Sequence, residues 1–231
     1  MRVARSEVEL AGGADAALRA YYAARAAEYD AIYRKPERQA DLRALEAWLV
    51  PRFCGARVLE VACGTGYWTQ FLARSAASVL GLDAAPQTLA LARARALGAH
   101  VHWAVGDAYA LPRTPEAFDA AFAGFWFSHI PKARRVAFLL GLHAALPAGA
   151  PVVLLDNCFV PGSSTPICET DAAGDTWQRR TLGDGSEHRV LKNFPDRTEL
   201  DSAAARAGAA PGEFHRWPYF WAYAYRTPGP R

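Results

Sequence analysis

Long apolar runs are missing from this 231-residue sequence, in which no stretch of about eighteen apolar residues occurs. The first residues, "MRVARSEVELAGGADAAL", also lack the uninterrupted apolar core of a secretory signal. We therefore expect neither a membrane-spanning helix nor export, and we predict a soluble cytoplasmic protein without membrane partners. With 52% hydrophobic and 21% charged residues, the composition is that of an ordinary globular protein.

Cysteine pairs at metal-binding spacing are missing too. The four cysteines form no C-x-x-C pair and no histidine lies at a ligand spacing from them, so we expect neither a metal site nor a disulfide framework. Positive charge is not concentrated either. The 26 Lys and Arg against 23 Asp and Glu give a net charge of +3, and the basic residues occur in short clusters rather than in a long stripe. Nucleic acid is therefore not an expected partner, and the sequence leaves open a monomer or a homodimer.

What the sequence does contain is an alternation of short apolar runs and longer segments with helical spacing, which predicts a parallel sheet covered by helices. The predicted strands span 57–62, 78–83, 100–105, 118–124 and 151–157, and the predicted helices span 66–76, 86–97 and 131–146. Pro86 is expected in the first turn of the second helix and Gly98 at its C-terminal cap.

The character changes after residue 157, where turn-forming residues become frequent. We predict an insertion with a hairpin over 161–193, then a helix over 196–208 and two aromatic strands over 213–227. The chain is long enough for one α/β domain. This single domain, 1–231, divides into an N-terminal helical segment (1–50), a ligand-binding core (51–160), the insertion (161–193) and a C-terminal helix with a strand pair (194–231).

A glycine-containing turn follows the first predicted strand, in "VLEVACGTGYWT". Gly64 and Gly66 let the backbone approach a ligand closely, and free N–H groups are expected at the helix start. A dinucleotide fingerprint would need a third glycine, but Thr69 occupies that position. Glu60 also disfavours the double negative charge of a pyrophosphate, so a cationic or zwitterionic ligand is more plausible.

Acidic residues follow the next two strands. Asp83 ends the second strand, where a carboxylate can accept both hydroxyls of a ribose, and Asp107 follows the third strand, where it can contact a base edge. Either acid alone could be a helix cap or a surface carboxylate. Together with Glu60 they lie at the carboxyl ends of three strands, which is the edge where open α/β sheets bind ligands.

These motifs, together with "VLGLDAAPQTLALAR", "VGDAYALP" and "FDAAFAGFWFSHIP", resemble those of the class I S-adenosylmethionine-dependent methyltransferases over about residues 50–160. The resemblance implies an α/β, Rossmann-like, seven-stranded, mostly parallel sheet with an antiparallel C-terminal strand pair and helices on both faces. It implies S-adenosyl-L-methionine as the cofactor and S-adenosyl-L-homocysteine as its product. Cys63 departs from the family pattern, because many relatives carry a glycine early in this turn.

The resemblance also implies roles for residues of the turn and the strand ends. The turn at Gly64 and Gly66 would face the methionine part, Asp83 would hold the ribose, Asp107 would flank the adenine, and Glu60 would orient the turn or the amino group. The expected cofactor-binding residues are Tyr29, Glu60, Ala62, Gly64, Gly66, Trp68, Asp83, Ala84, Asp107, Ala108 and Phe125.

His129, just past the fourth strand, is the candidate catalytic base, because an N–H or O–H acceptor must lose a proton during methyl transfer. A base with this role would give a rate that rises with pH through a pKa near 6–7. The alternative is a histidine at a helix entry that bonds to backbone. Phe125 and Trp126 are interpreted as walls of the substrate pocket.

Two further segments are expected near the substrate. Tyr22, Ala26 and Tyr29 share one helical face, which is either a docking face or a lid over the cofactor. In the insertion, an inward-facing arginine of the pair Arg179 and Arg180 would suit an anionic or carbonyl-bearing substrate. The expected substrate-binding residues are Tyr22, Trp126, His129, Trp177 and Arg179.

The function predicted from the sequence is transfer of a methyl group from S-adenosylmethionine to a nitrogen or oxygen of a small-molecule metabolite. Because a fold does not determine a reaction, three alternatives stay open at this point. They are a methyltransferase acting on a protein or peptide side chain, a non-catalytic cofactor-binding module, and a decarboxylating or cyclising relative.

Overall fold

The computed structural model describes residues 18, 20–112 and 117–229. The strands are β1 (Arg57–Val61), β2 (Ser78–Asp83), β3 (Val101–Val105), β4 (Ala120–Gly124), β5 (Pro151–Asn157), β6 (Ile167–Thr170), β7 (Thr176–Thr181), β8 (Glu187–Leu191), β9 (Glu213–Arg216) and β10 (Phe220–Arg226). The α-helices are α1 (20–25), α2 (Gln39–Leu49), α3 (Thr69–Leu72), α4 (Pro86–Ala94), α5 (Arg135–Ala144) and α6 (Arg197–Arg206). Short 3-10 helices include Ala26–Arg34 and Phe127–His129.

Seven of the strands form one sheet in the order β3-β2-β1-β4-β5-β10-β9. Strands β1 to β5 run parallel, whereas β10 is antiparallel to both β5 and β9. This arrangement confirms the Rossmann-like sheet with its antiparallel C-terminal pair. Because β1 and β4 are neighbours although β2 and β3 lie between them in sequence, the strand order reverses beside β1, and a crevice forms at such a point.

The hydrophobic core has two layers, one on each face of this sheet. Alternation along β4 divides its side chains: Ala121 and Ala123 join the layer beneath α5 and α6, whereas Phe122 joins the layer beneath α2 and α3. Both layers are fully buried around β4 and β5, which fixes the central strands and therefore the position of their carboxyl ends.

Two predicted helices are shorter than expected. The helix predicted over 66–76 is α-helical only over Thr69–Leu72, because the preceding Gly66 has a positive φ of 74° that a right-handed helix cannot include. The helix predicted over 86–97 ends at Ala94, and Ala96, with φ 50°, supplies the left-handed turn expected from Gly98.

The insertion is larger than the predicted hairpin. Strands β6, β7 and β8 form a separate antiparallel sheet, of which the hairpin expected around "GDGS" is the β7–β8 half. Strand β6 escaped prediction because all four of its residues are exposed, so they carry no apolar alternation. Across the described part of the chain, every helix is too short or too polar to cross a membrane.

Candidate active site

The turn after β1 holds three residues with positive φ: Ala62 (55°), Gly64 (56°) and Gly66 (74°). A side chain on Gly64 would meet only the Tyr29 ring, 4.0 Å from the added Cβ, so this glycine faces open space. A Cβ on Gly66 would lie 2.8 Å from Cη2 of Trp103 and 3.2 Å from Cβ of Ala92. Gly64 therefore leaves room for a ligand, whereas Gly66 lets a helix and a strand pack closely behind the turn.

Asp83, at the end of β2, organises the same turn. One carboxylate oxygen accepts the Gly64 N–H at 2.8 Å, and the other accepts the Ala85 N–H at 2.8 Å and the Thr88 hydroxyl at 3.0 Å. Burial raises the pKa of Asp83, and these hydrogen bonds act in the opposite direction. The carboxylate is thus held in one orientation, with acceptor capacity remaining for ligand hydroxyls.

Glu60 and Thr69 explain why no third glycine completes the turn. The Thr69 hydroxyl, fully buried, donates to a Glu60 carboxyl oxygen at 2.6 Å. Burial raises the pKa of Glu60 from its ordinary 4.5 to about 8, so the side chain is mainly protonated at neutral pH. A glycine at 69 would leave this buried group without its hydroxyl partner.

A cavity of about 770 Å³, the sheet-edge cleft, opens at the carboxyl ends of β1, β2 and β4. Its wall includes most of the residues expected to bind the cofactor: Tyr29, Ala62, Gly64, Asp83, Ala84, Asp107, Ala108 and Phe125. Trp126, Tyr22 and His129, expected near the substrate, also line it.

Three residues expected to bind the cofactor, Glu60, Gly66 and Trp68, are not part of this wall, and their contact with the cofactor stays a prediction. Glu60 is 1% exposed and bonds to Thr69, so it supports the turn from behind. Gly66 faces Trp103. Trp68 is 4% exposed in the core, where its ring stacks on Phe125 with centroids 5.8 Å apart. Trp68 supports the cleft through Phe125, which lines it.

A second cavity of about 740 Å³, the basic chamber, adjoins the cleft. The two share a wall of four residues: Tyr22, Tyr29, Phe125 and His129. Phe125 has a positive φ of 59°, which is unusual for a phenylalanine, and its N–H donates to the Leu155 carbonyl at 2.7 Å. Backbone strain of this kind is typical of functional sites.

Alternation along β7 decides which insertion residues reach the chamber. Gln178 and Arg180 line it, whereas Trp177 and Arg179 point to the opposite face of the sheet. Arg179 is exposed and pairs with Glu187, and Trp177 donates its indole N–H to Asp171. Trp177 and Arg179, both expected to bind the substrate, therefore lie outside the chamber wall.

His129 lies in the shared wall, and its hydrogen bonds define its tautomer. The Leu191 carbonyl, 2.6 Å from Nδ1, can only accept, so Nδ1 carries the proton. Nε2 then accepts the Tyr22 hydroxyl at 2.7 Å. Burial, together with the charges of Lys192 and Arg180, lowers the pKa of His129 well below its ordinary 6.5. The imidazole is neutral at physiological pH, and an activity titration near 6–7 is no longer expected from it.

Sequence reasoning missed several residues of the basic chamber. Arg25, Lys35, Arg38 and Lys192 line it together with Arg180. The cluster "RKPER" at 34–38 was a visible signal, but nothing in the sequence places it beside an insertion more than a hundred residues away. Lys192 is buried in an ion pair with Asp156, with Nζ 2.6 Å from the carboxylate.

Comparison with known proteins adds to this geometry. A family model described as "Methyltransferase domain" matches residues 58–149. The chain is 36% identical over 107 residues to 2-phytyl-1,4-naphtoquinone methyltransferase of Thermosynechococcus vestitus, covering 43% of this chain and 46% of that protein. It is 30% identical over 154 residues to malonyl-[acyl-carrier protein] O-methyltransferase of Serratia marcescens, covering 65% and 52%. The chain thus spans about half the length of the curated relatives it matches.

Among solved structures, the DhpI–SAH complex is 31% identical, with a TM-score of 0.78 over 95% of this chain and 99% of that one. The DhpI–SAM–HEP complex is 30% identical with a TM-score of 0.77, covering 94% and 98%. A Burkholderia thailandensis 1,6-didemethyltoxoflavin-N1-methyltransferase has a TM-score of 0.65 at 17% identity, covering 93% of this chain and 88% of that one, and so shows a shared fold.

Proposed function

This chain belongs to the class I S-adenosylmethionine-dependent methyltransferase family, and on that premise we propose that it transfers a methyl group from S-adenosylmethionine to a nitrogen or oxygen of a small-molecule metabolite. The observation that carries the proposal is the shared wall between the sheet-edge cleft and the basic chamber. Methyl transfer needs a donor and an acceptor held in line. Two adjoining cavities that meet at Tyr22, Tyr29, Phe125 and His129 provide that arrangement.

The residues of the cleft fit the cofactor. Asp83 offers acceptor capacity for ribose hydroxyls, and Gly64 leaves space for close approach to the backbone. Asp107 and Ala108, which also line the cleft, are proposed to flank the adenine.

S-adenosylmethionine, when bound, supplies a methyl group made electrophilic by a sulfonium. The protein's own part is to surround that positive charge with aromatic rings and to align the acceptor. Tyr22 and Tyr29, whose ring centroids are 5.7 Å apart, and Phe125 provide ring faces at the shared wall. Such faces attract a cation.

His129 and Tyr22 handle the acceptor's proton. His129 is neutral, with the Nε2 lone pair directed at the Tyr22 hydroxyl. If the acceptor is a hydroxyl or a protonated amine, His129 accepts the proton at Nε2, either directly or through the Tyr22 oxygen. Its depressed pKa makes it a weaker base than an exposed histidine, which favours acceptors that lose a proton readily or carry none.

The acceptor class can be tested by incubating the protein with methyl-labelled S-adenosylmethionine and a metabolite extract. We expect label in a small product. Label in protein would replace the proposal with a protein methyltransferase, and binding of cofactor without any labelled product would indicate a non-catalytic module.

The cofactor site is tested by Asp83→Ala. We expect S-adenosylhomocysteine binding to weaken by about 1.5–3 kcal/mol, because the carboxylate both accepts ligand hydroxyls and holds the Gly64 turn. Calorimetry measures the affinity, and Asp184→Ala, an exposed acid in the β7–β8 turn, is the control. Unchanged affinity in a folded Asp83→Ala protein would remove Asp83 from the site.

A further inference from the structure

The charge of the basic chamber identifies the kind of acceptor. Resting on the proposed function, we infer that the methyl acceptor carries an oxyanion group, and that Arg25, Lys35, Arg38 and Arg180 bind this group in the chamber. All four side chains line the cavity, and no Asp or Glu is among its described lining residues. A phosphoryl group and a carboxylate share the chemistry that such a cluster recognises.

The partners of these cations are neutral. Lys35 donates to the Ser163 carbonyl at 2.6 Å, and Arg38 donates to the same carbonyl at 3.1 Å and to the Ser163 hydroxyl. Arg180 donates to the Gln178 side-chain oxygen at 2.7 Å. Neutral acceptors satisfy hydrogen bonds but leave the net positive charge in place.

Arg25 also adds a positive charge to the chamber, and its guanidinium group packs against aromatic rings. Its guanidinium carbon lies 5.4 Å from the centroid of Tyr29 and 5.8 Å from that of Tyr21. Aromatic faces hold a guanidinium without neutralising it. Glu37, which accepts the Ser163 hydroxyl at 2.7 Å, is exposed and does not line the chamber. The Glu37 carboxylate therefore offsets part of the positive charge from the protein surface and not from within the chamber.

Two other arginines of the small sheet have acidic partners. Arg179, the neighbour of Arg180 on the outer face of β7, pairs with Glu187, and Arg189 pairs with Glu169. Lys192, which is 4% exposed and also lines the chamber, is neutralised by Asp156. Like charges gathered in a partly desolvated cavity repel one another, which costs stability unless an anion binds between them. The chamber cluster is therefore explained by a ligand, since the fold does not compensate it.

The two cavities are also electrostatically complementary across their shared wall. The cleft wall carries Asp83 and Asp107, which suits a cationic cofactor, whereas the chamber carries the basic cluster. An oxyanion in the chamber would lie next to the positive sulfonium. Their attraction is strong where water is excluded, and it helps to bring the acceptor to the methyl group.

Binding of simple anions tests the inference. Full-length protein saturated with S-adenosylhomocysteine is titrated calorimetrically with inorganic phosphate and with acetate. We expect binding that weakens about tenfold or more in Arg180→Gln, because a charged hydrogen-bond donor is lost. The matched control Arg179→Gln, one residue away on the outer face, should bind as the wild type does. Equal affinities in wild type and Arg180→Gln, or equal losses in both variants, would overturn the inference.

Two further measurements keep the test decisive. If Arg180→Gln does not fold, Arg25→Gln takes its place, since Arg25 contacts the chamber from a different element. S-adenosylhomocysteine binding is measured first in every protein. Failure to bind it contradicts the proposed function, whereas normal binding with no arginine-dependent anion binding contradicts only this inference.

Turnover with matched acceptors identifies the source of the oxyanion. Labelled S-adenosylmethionine is supplied with sets of small metabolites that carry a carboxylate, a phosphoryl group, or the neutral amide or ester of either. We expect methylation only among the charged members, and the preferred member distinguishes carboxylate from phosphoryl recognition. Equal methylation of the neutral members would overturn the inference.

Discussion

Gly64 and Gly66 stand two residues apart in one turn, yet their missing side chains serve different neighbours. Gly64 faces the sheet-edge cleft, and Gly66 faces Trp103 and Ala92. Both have a positive φ, so alanine at either position carries a backbone cost of about 1 kcal/mol. Only at Gly66 does the added methyl also collide with the core.

We therefore predict that alanine at Gly66 mainly lowers stability, whereas alanine at Gly64 mainly weakens ligand binding. Gly66→Ala should lower the free energy of unfolding by about 2–4 kcal/mol, because strain and overpacking add. Gly64→Ala should cost about 1 kcal/mol in stability but weaken S-adenosylhomocysteine binding, since its methyl enters the cleft. Urea unfolding and calorimetry separate the two effects. If the two variants lost the same affinity for S-adenosylhomocysteine and had the same free energy of unfolding, this division of roles would be contradicted.

His129 provides a second prediction at the residue scale, concerning pH. Its pKa in the folded protein lies well below the ordinary 6.5, chiefly through burial. The unfolded chain therefore takes up a proton first as the pH falls. The stability that neutral His129 contributes is complete above about pH 6.5 and is lost as the pH falls below it.

The measurement compares the free energy of unfolding of wild type and His129→Gln between about pH 5 and pH 7. The wild type should lose more stability on acidification than His129→Gln, whereas His102→Gln, at an exposed histidine, should follow the wild type. Titration of His129 should not cause wild-type turnover to rise between about pH 6.5 and 8. A rise with a pKa near 7 that disappears in His129→Gln would show that the imidazole titrates normally.

At the scale of elements, α1 lies between the two cavities and the small sheet. Leu18 and Tyr21 pack against Leu182 and Val190, while Tyr22 reaches the shared wall. The following 3-10 helix also contributes Tyr29 to the shared wall, but Tyr33 anchors it in the core. Tyr33 is 6% exposed and stacks on Tyr67 with centroids 3.5 Å apart. We therefore propose that the lid ends before residue 26.

Deleting residues 1–25 tests the lid. We expect turnover to be lost, because Tyr22 and Arg25 are removed and the chamber opens to water, while circular dichroism shows a folded sheet domain. Deleting 1–15, which removes none of the described residues, is the control and should leave activity nearly intact. Full turnover without residues 1–25 would leave α1 as a docking face only.

At the scale of the whole molecule, a buried polar network joins the two sheets. Lys192, just past β8, reaches Asp156 on β5 and the Ser128 hydroxyl, each at 2.6 Å. Asn193 donates to Asp175 at 2.8 Å, and its N–H bonds to the Ser128 carbonyl. The network fixes the insertion against the carboxyl edge of the main sheet and so gives the basic chamber its shape.

Breaking this network on one side should be costly. Asp156→Ala leaves the buried Lys192 ammonium without its partner, and we expect a loss of about 3–5 kcal/mol in the free energy of unfolding by urea. The double variant Asp156→Leu/Lys192→Met should recover much of it, because no charge stays buried. Glu187→Ala, which breaks the exposed pair with Arg179, is the control and should cost less than about 1 kcal/mol. A small effect of Asp156→Ala would mean that water already reaches Lys192.

The sequence by itself determined the sheet and its ligand-binding edge. Strands β1 to β5 are marked by short apolar runs, and Gly64, Asp83 and Asp107 follow directly from where those strands end. Carboxyl ends of parallel strands meet at one edge, so these residues come together whatever the details of packing. The meeting of these residues in one cleft at the sheet edge was therefore predictable from local patterns.

Only the tertiary structure decided which residues line the basic chamber and which role each residue of the turn after β1 has. Both faces of β7 carry polar residues, so alternation separates Arg179 from Arg180 but does not say which one faces inward. Lys35 meets Ser163 across 128 residues of sequence. The bond from Thr69 to Glu60 and the low pKa of His129 depend on burial. Long-range contacts and desolvation leave no periodic signal in a sequence, because they arise only when distant elements pack together.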